Sequence, residues 1–227
     1  MPLRKWFSAI YLCTAHKKGI SSYQLSRDIG VTQKTAWFML GRIREMMKEK
    51  APERLSGTVE ADETYIGGRH INKHKGKEVT EKAMVVGVLE RGGKVITEAV
   101  KKVKKGNNDI VAFVNHNVHL GSELMTDEAR HYIRMGRRYE HNTVHHAIKE
   151  FVRGRVHTQG IENYWSLLKR GIVGIYHQVS PKHLHRYCDE FAYRYNSRKV
   201  NDQERFINSF TRLTNGVLTY KQYIAND

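Results

Sequence analysis

The hydrophobic period first changes near residue 57, from helical to alternating, and that change sets the fold class. Before it, "LRKWFSAIYLCTAH" repeats apolar residues at helical spacing, and "GISSYQLSRDIGVTQKTAWFMLGRIREMM" divides into two short helices at Gly30. After it, "GTVEADETYIG" alternates as a strand does, and "AMVVGVLERGGKVITEAV" reads as two strands joined through Gly92-Gly93. "NNDIVAFVNHNV" then reads as a helix, "SELMTD" as a strand, "EARHYIRMG" as a helix and "RYEHNTV" as a last strand. "GIENYWSLLKRGI" and "SPKHLHRYCDEFAYRYNSRK" are helical, the second with Pro181 at a favoured first position. The expected architecture is an α/β chain: an all-α module over 1–50, a charged linker over 51–57, a mixed-sheet domain over 58–200 and a tail over 201–227. "RHINKHKGKEVTEK" is polar and basic and is expected to be a surface loop.

Charge narrows the partners. Lys and Arg number 39 against 23 Asp and Glu, a formal +16, which favours a polyanion, nucleic acid before an anionic membrane. The longest apolar runs, such as "AMVVGVL", are too short to span a bilayer, and no secretory leader is evident, so a cytoplasmic protein without a membrane role is expected. Cys13 and Cys188 are far apart and form no CxxC pair, which argues against a zinc ribbon or a disulfide framework.

Residues 1–50 carry ten Lys/Arg against three Asp/Glu, a local +7. Within them, Ser21 or Ser22 is placed to cap one short helix and Thr32 the next. Leu25, Ile29, Val31, Ala36 and Leu40 supply an inward face. This is the pattern of a helix-turn-helix whose second helix enters a major groove, although a purely structural hairpin would carry the same Gly in its turn. Gln33, Lys34 and Thr35 would lead that helix, with Arg42 and Arg44 further along to meet phosphates.

Three acids stand out in the second part. Asp62 falls in the first strand, Asp127 at the end of a later strand and Glu162 in the first turn of a helix. Alternation puts Glu60 and Asp62 on one face of the strand and Val59, Ala61 and Glu63 on the other. Each acid has a plain alternative: Asp127 as a helix N-cap, Glu162 as a favourable charge on a helix dipole, Asp62 as a solvated strand end with Glu60 as its rival. Converging, they would suit Mg²⁺, which takes hard oxygen ligands and completes its shell with water and substrate phosphate. Two ions about 4 Å apart would activate water and steady the leaving oxygen of an in-line displacement.

Beyond the acids, "VEADETYIGG", "MTDEARHY", "VRGRVHTQGIENYWSLLKRGIVGIYH" and "RYCDEFAYRYNSR" resemble the DDE-type bacterial insertion-sequence transposases that carry a zinc ribbon and a helix-turn-helix. "PLRKWFSAIYL" and "GISSYQLSRDIGVTQKTAWFML" resemble that group's helix-turn-helix region. The resemblance covers most of residues 2–200. It implies a ribonuclease-H-like catalytic domain, two Mg²⁺ or Mn²⁺ ions per site, and cleavage and joining of double-stranded DNA at the ends of a mobile element, by a homo-oligomer on paired ends. Asp62 would bridge both metals, Asp127 would hold one and Glu162 the other. Lys169, seven residues after Glu162, matches a basic residue that recurs in many such transposases, and Arg170 joins the candidate DNA contacts. His157 is the best placed of a cluster with His141, His145 and His146, against a structural histidine; that cluster lacks the spacing of a zinc site. Tyr187, Phe191 and Tyr195, four apart, are read as core, and "KKVKK" (101–105) as a solvated charge run. The zinc ribbon expected ahead of the helix-turn-helix has no counterpart here. The alternatives are a DNA-binding protein that has lost catalysis and a ribonuclease-H-like nuclease.

Overall fold

The computed structural model describes residues 1–67, 82–100, 108–133, 135–145, 148, 152–213 and 218–225. The basic loop expected over 69–82 lies almost wholly outside the described residues, as do "KKVKK" and His146. The chain forms two compact units: Ala51–Ser166, and Met1–Lys50 together with Leu167–Asp227.

Unit Ala51–Ser166 is built on a five-stranded sheet. Its strands are β1 (Thr58–Ile66), β2 (Ala83–Glu90), β3 (Val95–Val100), β4 (Glu123–Thr126) and β5 (Glu140–Thr143), in the order β3-β2-β1-β4-β5. β1 runs parallel to β4, and β4 parallel to β5, while β2 is antiparallel to both β1 and β3. The sheet is mixed, as the sequence predicts for this part of the chain. Alternation along β1 decides what each face meets. Val59 and Ala61 join Met84, Val86 and Val88 in a core closed by Ile110, Phe113 and Val114 of α4 (Asn108–Asn117). The opposite face, carrying Glu60 and Asp62, receives the first half of α5 (Gln159–Gly171).

Two local differences from the sequence reading appear here. "EARHYIRMG" is not an α-helix but two 3₁₀ turns, Arg130–Tyr132 and Met135–Arg137. The buried side chains explain it: Tyr132 and Met135 are three residues apart, the 3₁₀ repeat, and both enter the core. The sequence reading also missed a small hairpin, β6 (Val152–Arg153) and β7 (Val156–His157), turning on Gly154 at φ 61°. That left-handed conformation favours glycine.

The other unit holds α1 (Leu3–Ala15), α2 (Ser22–Ile29), α3 (Gln33–Met47), α6 (Leu184–Asn196), α7 (Asp202–Ser209) and α8 (Tyr220–Ile224). Ser21 caps α2 by accepting from Gln24 N–H, Gly30 closes it in the left-handed region, and Thr32 caps α3 by accepting from Thr35 N–H. Leu25, Ala36 and Leu40 are buried together with Ala9, Ile43 and Tyr193, and Ile29 and Val31 pack at the edge. The three N-terminal helices therefore share one core with α6, and α7 packs on α1 through Phe206, as does Phe210 of the 3₁₀ turn that follows it. Residues 167–200, expected with the sheet domain, group by contact with the N-terminal helices, and the expected tail contains α7 and α8 among its described residues. Tyr187 and Phe191 are core residues, whereas Tyr195 is half-buried beneath Arg198. Among the described residues no helix is long and apolar enough to cross a membrane.

Candidate active site

Parallel pairing of β1 with β4 brings the first two acids together. The register runs Thr58↔Glu123, Val59↔Leu124 and Glu60↔Met125. Carried forward two residues, it sets Asp62 opposite Asp127, just where β4 ends and the ladder opens. Neighbouring strands lie about 4.8 Å apart, so carboxylates at matched positions are near neighbours. Burial, followed by the like charges of Glu63 and then Asp127, pushes the Asp62 carboxyl up to about 7. Burial likewise raises Asp127, with Glu63 adding to it and His131 opposing. Asp127 Oδ1 also accepts the N–H of Ala129 at 3.0 Å, so its capping alternative is realised as a turn of its own loop.

The third acid arrives on α5, and two contacts seat that helix. Glu60, fully buried, accepts the Ile161 N–H at 2.9 Å through Oε2 and the Arg91 guanidinium at 2.7 Å through Oε1. The same guanidinium donates to the carbonyls of Arg155 and His157, tying the β6–β7 hairpin to the helix start. A Cβ at residue 160 would stand 2.8 Å from Glu60 Oε2, so Gly160 is what admits the carboxylate. One turn further on, the Trp165 indole N–H donates to Asp62 Oδ2 at 2.9 Å. Gly87, paired with Asp62 across β1 and β2, makes room for that ring: a Cβ there would lie 2.6 Å from Trp165 Cη2.

Glu162 lies on this turn between Ile161 and Trp165 and is exposed; its Oε1 accepts the Thr158 hydroxyl at 2.7 Å. Among the described residues, no three His, Cys, Asp or Glu side chains are grouped closely enough to hold a metal. The acid pair nevertheless has the donor chemistry a hard divalent cation takes: two neighbouring half-buried carboxylates offer hard oxygens, and both have raised pKa values that an added positive charge would relieve. The trio does not close around one point, because Glu162 is turned to Thr158.

The remaining candidates separate clearly. Glu60 anchors a helix, which removes it as a rival to Asp62. His157 Nδ1 lies 3.4 Å from Glu60 Oε1, and its carbonyl is held by Arg91, so it belongs to the anchor. His141 Nε2 pairs with the Thr126 hydroxyl at 2.8 Å, and burial lowers its pKa. On the opposite face of β1, Glu63 accepts from Tyr132 Oη at 3.1 Å and lies 3.3 Å from His131 Nε2. Lys169 and Arg170 are exposed in the last turn of α5.

In α3, Lys34 is exposed beneath the Tyr220 ring, Gln33 donates to the Ser22 hydroxyl at 2.9 Å, and the Thr35 hydroxyl pairs with Thr32 at 2.8 Å. Arg42 lies over the rings of Trp6 and Phe38. The expectation for Arg44 is corrected. It is 1% exposed, paired with buried Glu190 and stacked on Tyr187, and so cannot reach a phosphate. Its place follows from helical spacing with Leu40 and Met47 on the inward face of α3. Burial disfavours the Glu190 carboxylate, but Arg194 and Arg44 outweigh it and hold that group at about 2.

The sequence reading saw the three acids and missed what positions them. Gly87, inside an otherwise apolar strand, was the available signal, since such a glycine marks a close approach. Nothing in the pattern marked Thr158, Gly160 or Arg91.

No curated protein matches the chain. Two solved structures are similar to it at low identity. The pre-cleavage Mos1 transpososome is 12% identical, with 83% of this chain and 74% of that chain covered and a TM-score of 0.26. The Mos1 strand transfer complex is 11% identical, with 89% and 77% covered and a TM-score of 0.25. The stretch holding Asp62, Asp127 and Glu162 lies wholly within residues 54–196, which match the ISXO2-like transposase domain, and the chain belongs to that family.

Proposed function

We propose that the chain is a DDE transposase that cleaves DNA at the ends of an insertion sequence and joins them to target DNA. The observation that carries this reading is the register-matched pair Asp62 and Asp127 at the open end of the parallel ladder, beneath the helix that bears Glu162. Asp62 and Asp127 would hold Mg²⁺ or Mn²⁺, with Glu162 completing the site by leaving Thr158. A divalent cation bound there supplies Lewis acidity to the attacked phosphate and lowers the pKa of its water. In the first step water attacks phosphorus, the P–O3′ bond breaks, and a 3′-hydroxyl is released. In the second that hydroxyl attacks a target phosphate and displaces the target's own O3′. One set of carboxylates serves both steps, because only the nucleophile differs.

The α2–turn–α3 pair is the proposed helix-turn-helix, with Lys34 at the leading end of α3 and Arg42 further along. The +16 charge supports binding to duplex DNA, and joining two ends calls for more than one copy on the DNA. The test is incubation of the protein with its element's end DNA and Mg²⁺. Nicking is expected, and Asp127→Asn abolishes it while binding persists. Equal nicking by the variant removes Asp127 from the mechanism. Binding without nicking by the native chain favours the lapsed DNA-binding protein, a reading to which the Thr158–Glu162 hydrogen bond lends weight.

A further inference from the structure

Two dissimilar repeats meet where α5 lies on β1. Glu60 and Asp62 are two residues apart on a strand, about 6.6 Å. Their partners Ile161 and Trp165 are four apart on a helix, about 6 Å along its axis. The near match lets one face of β1 grip one face of α5 at both points: a carboxylate on a backbone N–H at the helix start and an indole N–H on a carboxylate one turn later. Only the second grip touches a residue of the acid pair. Trp165 is 4% exposed, its ring comes so close to Gly87 that a Cβ there would clash with it, and in that seat its N–H donates to Asp62 Oδ2.

We propose that Trp165 is a positioning residue: its indole N–H fixes the orientation of the Asp62 carboxylate and ties it to the helix that carries Glu162. The inference rests on the cation reading given under Proposed function. A ligating carboxylate left to rotate binds its ion less well, and loss of such a supporting hydrogen bond usually weakens metal affinity about 10–100-fold. Trp165→Phe removes the N–H while keeping an aromatic ring between Gly87 and Asp62. Val86→Ala opens a cavity on the opposite face of the sheet and serves as the stability control, since Val86 belongs to the α4-side core.

The probe is Mn²⁺ added to the full chain without DNA, with free ion measured by electron paramagnetic resonance well below the thermal transition of each variant. Native protein is expected to bind Mn²⁺ more tightly than Asp62→Asn. Trp165→Phe is expected to weaken binding about 10–100-fold, and Val86→Ala to leave it within about twofold of native. If Trp165→Phe does not fold, 3-benzothienylalanine at residue 165 keeps the bicyclic shape with sulfur in place of N–H, and the same loss is expected. Native affinity in the N–H-deficient variant overturns the inference and leaves the cation reading standing. Equal weakening by Val86→Ala also overturns it, because the effect would then be general loosening. Native binding no tighter than Asp62→Asn removes the cation reading itself, and the inference with it.

Discussion

Asp62→Asn is predicted to stabilise the cation-free protein, increasingly so as pH rises. The Asp62 carboxyl sits at about 7 in the folded chain against an ordinary 3.8, chiefly because of burial, with Glu63 and Asp127 adding like charge. For an acid whose folded pKa is raised, the native state binds the extra proton, so stability falls as pH rises between the two values. At about 1.4 kcal/mol per pH unit, the full span amounts to on the order of 4 kcal/mol. Integrated, the penalty is under about 1 kcal/mol at pH 4 and close to 4 kcal/mol at pH 8, where it levels off. Asparagine carries no charge and can still accept the Trp165 N–H, so the variant escapes this penalty. The assay is urea unfolding of both proteins with a chelator present, from about pH 4 to pH 8.5. The difference in unfolding free energy should grow by roughly 3–4 kcal/mol across that range. Saturating Mg²⁺ at pH 8 should recover part of the deficit in the native chain and none in the variant, since a ligand that binds only the folded state stabilises it. A difference that stays flat with pH would refute the claim that Asp62 is held against its own ionisation.

Glu60→Ala should destabilise the protein by about 3–5 kcal/mol in urea unfolding, because it leaves the buried Ile161 N–H unsatisfied and takes the carboxylate from Arg91, whose carbonyl acceptors remain. Arg44→Ala should cost a similar amount, about 3–5 kcal/mol, by leaving Glu190 with only one of its two arginines; retained stability would show that the buried pair matters little. Lys34→Ala should instead leave stability within about 0.5 kcal/mol and lower the slope of log affinity against log salt for duplex DNA by roughly one. An unchanged slope would take Lys34 off the DNA.

The parts of this molecule that could be read from its sequence are those governed by a period or by a residue with one dominant habit. The change of period near residue 57 separated helices from sheet, and Ser21, Gly30 and Thr32 fixed the α2–α3 turn, because capping is a local bargain between a side chain and nearby backbone. Alternation correctly put Glu60 and Asp62 on one face, yet it could not say that one would hold a helix while the other would face Asp127. That difference arises from partners about 100 residues away, Ile161 and Trp165, whose approach depends on Gly160 and Gly87 having no side chain. Arg44 was misjudged for a related reason. Its charge suggested the surface, while its spacing with Leu40 and Met47 put it inside, where Glu190 made burial tolerable. In both units, then, charged residues with similar sequence settings were sorted by whether an opposite charge met them: Glu60 met Arg91 and Arg44 met Glu190, whereas Asp62 met the neutral Trp165 indole. Glu60 and Arg44 are met and became structural. Asp62 and Asp127 instead keep raised pKa values with like charges nearby, and that contrast is why they are the pair proposed to react.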